Sequence, residues 1–248
     1  MDLNGDVGEY FASNNHGSDH ELIPLLSSAN VACGFHAGDP VSMDETVRRC
    51  LGAEVSIGAH PSYPDQTGFG RRYLQMTPGE LRAAVIYQVS ALQGMARAAG
   101  GAVRHVKAHG ALYNRMFTDS AEARAFVEAV ARLDDRLVIL GQPGSAAEAE
   151  AARLGIRFAR EGFADRRYRQ DGTLTPRSEA GAVIEDLDEQ IAQAIALSTG
   201  GPFQGSEGML RLEVDSICVH GDTPGAGRAA RAIREALAGA GLEIRPLC

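Results

Sequence analysis

The chain has 248 residues, 44% hydrophobic and 23% charged, with 29 glycines; this size and composition fit one folded domain over 1–248 and exclude a disordered chain. A net charge of -8 and a single lysine, Lys107, exclude phosphate-backbone binding to nucleic acid, which needs a surplus of Lys and Arg to displace counterions. The opening Met1-Asp2-Leu3-Asn4-Gly5-Asp6 lacks the basic and long apolar parts of a signal peptide, no later run reaches membrane-spanning length, and four cysteines without paired spacing suit a reducing cytoplasm.

A first strand is expected over residues 1–3, with Asn4-Gly5-Asp6-Val7-Gly8-Glu9 as its C-terminal turn and the Asp6 and Glu9 carboxylates facing a site. Ser18 or Asp19 can cap a helix carrying Leu22, Leu25 and Leu26. The second strand, 29–33, ends in Gly34 and His36, and Pro40 opens the next helix where its missing N–H costs nothing. A third strand, 55–58, leads to His60. Residues 61–75 are too many, and too rich in Gly, Pro and Arg, for a simple connector, so they read as a functional loop of lid type. Thr77-Pro78-Gly79-Glu80 is a capping box, followed by Leu81, Val85, Val89 and Leu92 at helical spacing.

The fourth strand, 103–106, aims Lys107 and His109 at its C-terminal end; Phe126, Val130 and Leu133 then mark one helix face. A fifth strand over 137–140, a short helix over 146–154 and a sixth strand over 156–159 lead to a second long loop, 162–177, which contains Asp165-Arg166-Arg167-Tyr168-Arg169. Val183, Leu187, Ile191 and Ile195 define a further helix, 203–212 a hairpin turning at Glu207-Gly208, 214–219 the seventh strand and 225–240 the last helix. Such alternation means a parallel sheet with right-handed crossovers. Polar residues at nearly every strand end suit the mouth of a TIM-like (β/α)7 barrel better than the single crevice of an open sheet.

Four histidines, His36, His60, His109 and His220, each follow an apolar run, so a barrel mouth would gather them with Asp6, Glu9 and Asp222. Carboxylates and imidazoles of this kind suit a divalent metal or proton transfer. His16, His20 and His105 lack that placement and read as surface or local structural residues. Lys107 would face the mouth, where partial burial lowers its pKa and lets it polarise or deprotonate a substrate. Among Arg71, Arg72, Arg166, Arg167 and Arg169, one or two can clamp a carboxylate or phosphoryl group, the rest being solvated or paired with Asp65 and Asp165. Cys33 reads as a buried apolar residue rather than a nucleophile. Asn4 and Asn30 either orient a substrate carbonyl or serve turns. No G-x-x-x-x-G-K-[ST] occurs, which excludes a phosphate-loop mechanism for any ATP used.

Taken together, Asp2-Leu3-Asn4-Gly5-Asp6-Val7-Gly8-Glu9, the run from Asn30 to Pro40, Gly58-Ala59-His60-Pro61 with Gly68-Phe69-Gly70-Arg71-Arg72, His109-Gly110-Ala111-Leu112-Tyr113-Asn114, Phe163-Ala164-Asp165-Arg166-Arg167-Tyr168 and Val219-His220-Gly221-Asp222 resemble the LamB/YcsF family. The likeness runs from the first residues to about Thr223, with Ala108 where the family usually has proline. It implies a seven-stranded barrel akin to the glycoside hydrolase and deacetylase barrels. It also implies the A-subunit role in bacterial ATP-dependent 5-oxoprolinase, acting with subunits B and C on 5-oxoproline, with ATP as co-substrate, to give glutamate, ADP and phosphate. On that reading Asp6 or a histidine is general base for water, Lys107 and an arginine hold the developing oxyanion or phosphate, and His60, His109 and Asp222 orient them. Asn4, Asn30, His36, Arg71, Arg166 and His220 then bind substrate. Two alternatives stand beside it: a metal-dependent deacetylase or hydrolase with Asp6, His36 and His60 around a zinc-like ion, and a non-catalytic component that presents 5-oxoproline to its partners.

Overall fold

Strand pairing begins and ends on the same element, which closes the sheet. In the computed structural model, which describes residues 1–11, 19–219 and 225–247, β1 (Asp2–Val7), β2 (Ser28–Ala32), β3 (Ser56–His60), β4 (Val103–Lys107), β5 (Val138–Gly141), β6 (Phe158–Phe163) and β9 (Ser216–Val219) form a closed parallel barrel in that order. β1 pairs with β2 through Asp6↔Asn30 and with β9 through Asn4↔Cys218. A two-stranded antiparallel hairpin, β7 (Phe203–Gln204) and β8 (Met209–Leu210), interrupts the alternation before β9, where the sequence pattern expects it. The connecting helices are α1 (Asp19–Leu22), α2 (Pro40–Gly52), α3 (Pro78–Ala98), α4 (Gly110–Arg115), α5 (Ser120–Leu133), α6 (Ala146–Leu154), α7 (Leu187–Thr199) and α8 (Ala226–Gly239).

The barrel is lined with polar side chains, and the apolar core lies between barrel and helices. In β1, Asn4 donates from Nδ2 to Ser216 Oγ at 2.8 Å, and Asn30 Nδ2 donates to Asn4 Oδ1 and Asp6 Oδ1, each at 2.8 Å. The alternate residues point outwards: a Cβ on Gly5 would meet the Leu26 side chain at 2.9 Å, and Leu3, Val31, Ile57, Val106 and Ile217 are buried in the core. His105 lies fully buried inside the barrel, bonded through Nε2 to Asn30 Oδ1 at 2.8 Å, and not at the surface. Its ring fills the space beside Gly58, where a Cβ would stand 2.0 Å from Nε2, so only glycine fits there.

This lining corrects several expected boundaries. β1 runs on to Val7, β3 to His60, β4 to Lys107 and β6 to Phe163, because Asn4, Asp6, His60, Lys107 and Glu161 are strand residues rather than turn residues. Residues 19–25 form only α1 and a 3-10 turn, Ile23–Leu25, broken at Pro24, whose ring and missing N–H oppose an α-helix interior. Asp19 is buried, with Oδ2 accepting from Gly8 N at 2.7 Å, and Ser18 lies outside the described residues. Two helices follow β4 instead of one, and α5 is capped by Asp119, which accepts from Ala121 N and Glu122 N. Asp186 caps α7, leaving Val183 before the helix. Both halves of the capping box form at Thr77 and Glu80. Among the described residues no helix is long and apolar enough to cross a membrane.

Candidate functional site

A cavity of about 380 Å³ opens at the C-terminal ends of the strands, the face on which parallel barrels gather side chains from distant parts of the chain. Lys107, Asp6 and His60 line its buried end, while Arg71 and Arg177 line it from exposed positions and Arg166 from a buried one.

One side is built on Lys107. Its Nζ, buried in the barrel, lies 2.9 Å from Asp6 Oδ1 and 2.8 Å from Glu161 Oε1, with Cys218 Sγ at 3.2 Å and Asn4 Oδ1 at 3.4 Å. Glu161 accepts a further hydrogen bond at Oε2 from the buried Tyr113 hydroxyl, at 2.7 Å. Burial alone would pull the ammonium down, but Asp6 and Glu161 hold it well above its ordinary value, so Lys107 is cationic. That overturns the expectation of a lowered pKa: the lysine acts as a fixed charge. Burial, with the Glu161 charge, pushes the Tyr113 hydroxyl well above its usual value and keeps it a donor.

The other side gathers imidazoles. His36 Nε2 is 2.9 Å and His109 Nδ1 3.2 Å from Glu9 Oε1; His60 Nε2 is 3.9 Å from the same oxygen, 3.0 Å from His109 Nδ1 and 3.3 Å from Asp6 Oδ2. The His36 and His109 rings stack at 3.8 Å, and His60 meets both edge-on. Burial pushes His36 down to about 3, which keeps it neutral at pH 7. Each of these four side chains offers one ligand atom, all within 4.8 Å of one another, so Glu9, His36, His60 and His109 could hold a metal ion. Asp6, expected among such ligands, instead has Oδ1 committed to Lys107 and Asn30 and turns Oδ2 towards His60.

The 61–75 loop seals this cluster. Phe69 adopts φ 53°, a left-handed conformation costly for a non-glycine residue, and its carbonyl accepts from His109 Nε2 at 2.8 Å. Gly70, at φ 64°, packs so closely that a Cβ would lie 2.8 Å from the His109 ring and 2.9 Å from His36 Cβ. Asp65 accepts from Arg72, which accounts for that arginine as an ion-pair partner, and Arg71 lies over the Phe69 ring, 5.0 Å from its centroid.

The LamB/YcsF family model matches residues 1–248. The chain belongs to the LamB/YcsF family. The 5-oxoprolinase A-subunit of Methylococcus capsulatus is 47% identical over 248 residues, covering 100% of this chain and 95% of that protein. That of an Azoarcus species is 49% identical over 245 residues, covering 98% and 96%. The crystal structure of a lactam utilization protein from Thermus thermophilus superposes with a TM-score of 0.93 at 41% identity, covering 99% of this chain and 98% of that one. The barrel inferred from the family motifs is therefore the one observed.

In this LamB/YcsF chain, the structure brings Asp6, His36, His60, Lys107 and His109 together at one mouth, with Asn4 and Asn30 as the hydrogen-bonded support of Asp6. His220 and Asp222 lie outside the described residues, as does His16. Arg166 lines the cavity while donating to Thr175 O at 2.7 Å and Ala182 O at 3.4 Å; Arg167 and Arg169 pair with Glu189 and Glu179. Cys33 is buried, its sulfur donates to Val31 O, and burial pushes its thiol up to about 12, which leaves it no nucleophile. Glu161 and Tyr113 escaped the sequence reading. A glutamate in the apolar run Phe158-Ala159-Arg160-Glu161-Gly162-Phe163 was the available sign, since an acid at an inward strand position needs a buried cation.

Proposed function

We propose that this chain provides the 5-oxoproline site of an ATP-dependent 5-oxoprolinase and works with subunits B and C. The observation that carries the reading is the pairing of two charge types in one cavity: the exposed Arg71 and Arg177 with the buried Arg166, and a buried lysine held by two carboxylates. The near-full-length relatives named as the A-subunit of 5-oxoprolinase support it.

5-Oxoproline carries one carboxylate and one resonance-stabilised lactam. Arg71, Arg166 and Arg177 suit the carboxylate, which a guanidinium can grip with two parallel hydrogen bonds. Burial, and Arg177 close by, hold the Arg166 guanidinium below its usual pKa; an anion between them relieves that repulsion. Lys107 then faces the lactam oxygen, where a fixed ammonium in a water-poor site stabilises the charge that develops when the carbonyl is attacked. ATP activates that oxygen by phosphorylation, and the absence of a phosphate loop leaves its binding to groups outside such a motif. Water adds its hydroxyl to the carbonyl carbon of the phosphorylated lactam, the C–N bond breaks and a proton goes to nitrogen, which leaves a glutamyl phosphate; a second water then releases its phosphate and gives glutamate. Asp6, with Oδ2 turned away from Lys107, takes the proton of the attacking water, and Asn30 and Lys107, bonded to Oδ1, hold that carboxylate in place.

The test is glutamate formation from 5-oxoproline and ATP by this chain alone and with subunits B and C. Turnover is expected only in the complete mixture, with Asp6→Asn lowering it by about 10²-fold or more while circular dichroism stays unchanged. Retained turnover in folded Asp6→Asn removes the base assignment; no turnover in a folded, complete mixture removes the reading.

A further inference from the structure

We infer that Glu9, His36, His60 and His109 bind one first-row divalent metal ion of zinc type. The positions of the hydrogens on the three imidazoles decide this, whatever the substrate of the cavity is. His60 Nδ1 donates to the Lys107 carbonyl at 2.8 Å, and His109 Nε2 donates to the Phe69 carbonyl at 2.8 Å. His36 Nδ1 stands 3.1 Å from Ser62 Oγ, whose own hydrogen goes to the Tyr63 carbonyl at 2.8 Å, so Ser62 accepts and His36 donates. Each outer nitrogen thus carries the N–H, and each inner nitrogen turns a lone pair towards Glu9.

Four acceptors facing one another repel unless a cation lies between them, and two are only 3.0 Å apart, His60 Nε2 and His109 Nδ1. The spacing suits a metal shell: ligands about 2.0–2.1 Å from a tetrahedral zinc lie about 3.3 Å from each other, and here four of the six separations are 2.9, 3.0, 3.2 and 3.9 Å, with all six within 4.8 Å. The outer bonds to Lys107 O, Phe69 O and Ser62 Oγ are the second layer that fixes tautomer and ring orientation in metal-bound histidines. Three imidazoles and one carboxylate exclude a calcium or magnesium preference, since those ions favour oxygen-only shells. Glu9, His60 and His109 also line the cavity, so the ion has a route in.

The experiment uses the full chain, stripped with chelator and then dialysed against Zn²⁺, Mn²⁺ or Co²⁺, with bound metal counted by mass spectrometry and Co²⁺ read by its visible absorption. One ion per chain and a tetrahedral-type Co²⁺ spectrum are expected. His60→Gln and His109→Gln should abolish stoichiometric binding, and Ser62→Ala, which leaves all four ligands in place, should weaken it about 10-fold. A folded chain that takes up none of the three ions overturns the inference, the lone pairs then being bridged by a proton. Unchanged stoichiometry in the His60→Gln, His109→Gln double variant also overturns it, because the ion would sit elsewhere. Both readouts are independent of glutamate formation, so either claim can fail alone.

Discussion

The two sides of the barrel mouth are built alike and end in opposite electrostatic states. Both draw buried polar side chains from the C-terminal ends of neighbouring strands, and Asp6 touches both. On one side, Lys107 meets Asp6 and Glu161 within 3 Å, so its positive charge is balanced by the chain's own carboxylates. On the other, three imidazoles and Glu9 present acceptors to one another and no lysine or arginine pairs with them among the described residues. The first side is complete as folded, and it costs stability when one partner goes. The second, on the inference above, is complete only with a cation bound.

The largest effect should come from breaking the complete side. Lys107→Met leaves two buried carboxylates without their cation, and urea unfolding should show a loss of about 3–5 kcal/mol, together with loss of turnover. Adding Glu161→Gln should return part of the stability and none of the turnover; a single variant as stable as the parent would contradict the pairing. Next comes the partition shared by both sides. Gly58→Ala drives a methyl into the His105 ring, which holds Asn30 and through it Asp6, and thermal unfolding should report a loss of about 1–3 kcal/mol. Thr77→Ala removes only the cap of α3 and should cost about 1 kcal/mol with metal and substrate binding unchanged, a control away from the cavity lining. The smallest effect concerns thiols. Burial pushes Cys33 and Cys50 up to about 12, so the neutral form dominates far above neutrality, and native labelling by a thiol reagent should stay slow at pH 8 and rise as pH approaches 12. Fast labelling of Cys33 or Cys50 in the native chain at pH 8, located by peptide mass spectrometry, would contradict their burial.

The alternation of strands and helices was legible because the outer faces obey ordinary rules: Leu81, Val85, Val89 and Leu92 repeat at helical spacing, and Thr77 and Glu80 announce the cap. The strand ends were not, because polar residues were read as turn residues. Asn4, Asp6 and Lys107 are inward members of period-two strands whose hydrogen-bond partners lie 24 to 212 residues away, and no local window contains those partners. The same blindness hid His105, which looked misplaced beside Lys107 and is the ring that fills the barrel next to Gly58. Glu161 was hidden by distance as well, since its partner Lys107 sits on a strand two positions away in the barrel. The histidines were legible as a group because each closes an apolar run, whereas which of them converge depended on the loop that puts Phe69 O and Gly70 against His109.

Calorimetric titration of the isolated chain with 5-oxoproline, in the parent and in Arg166→Gln, tests the role of the cavity most directly. Saturable one-to-one binding is expected for the parent, with a loss of at least about 10-fold in affinity in the variant, because a bidentate charge-assisted grip is removed from the carboxylate. Equal affinity in the two proteins, or no binding to a folded parent chain, would contradict a 5-oxoproline site at this mouth.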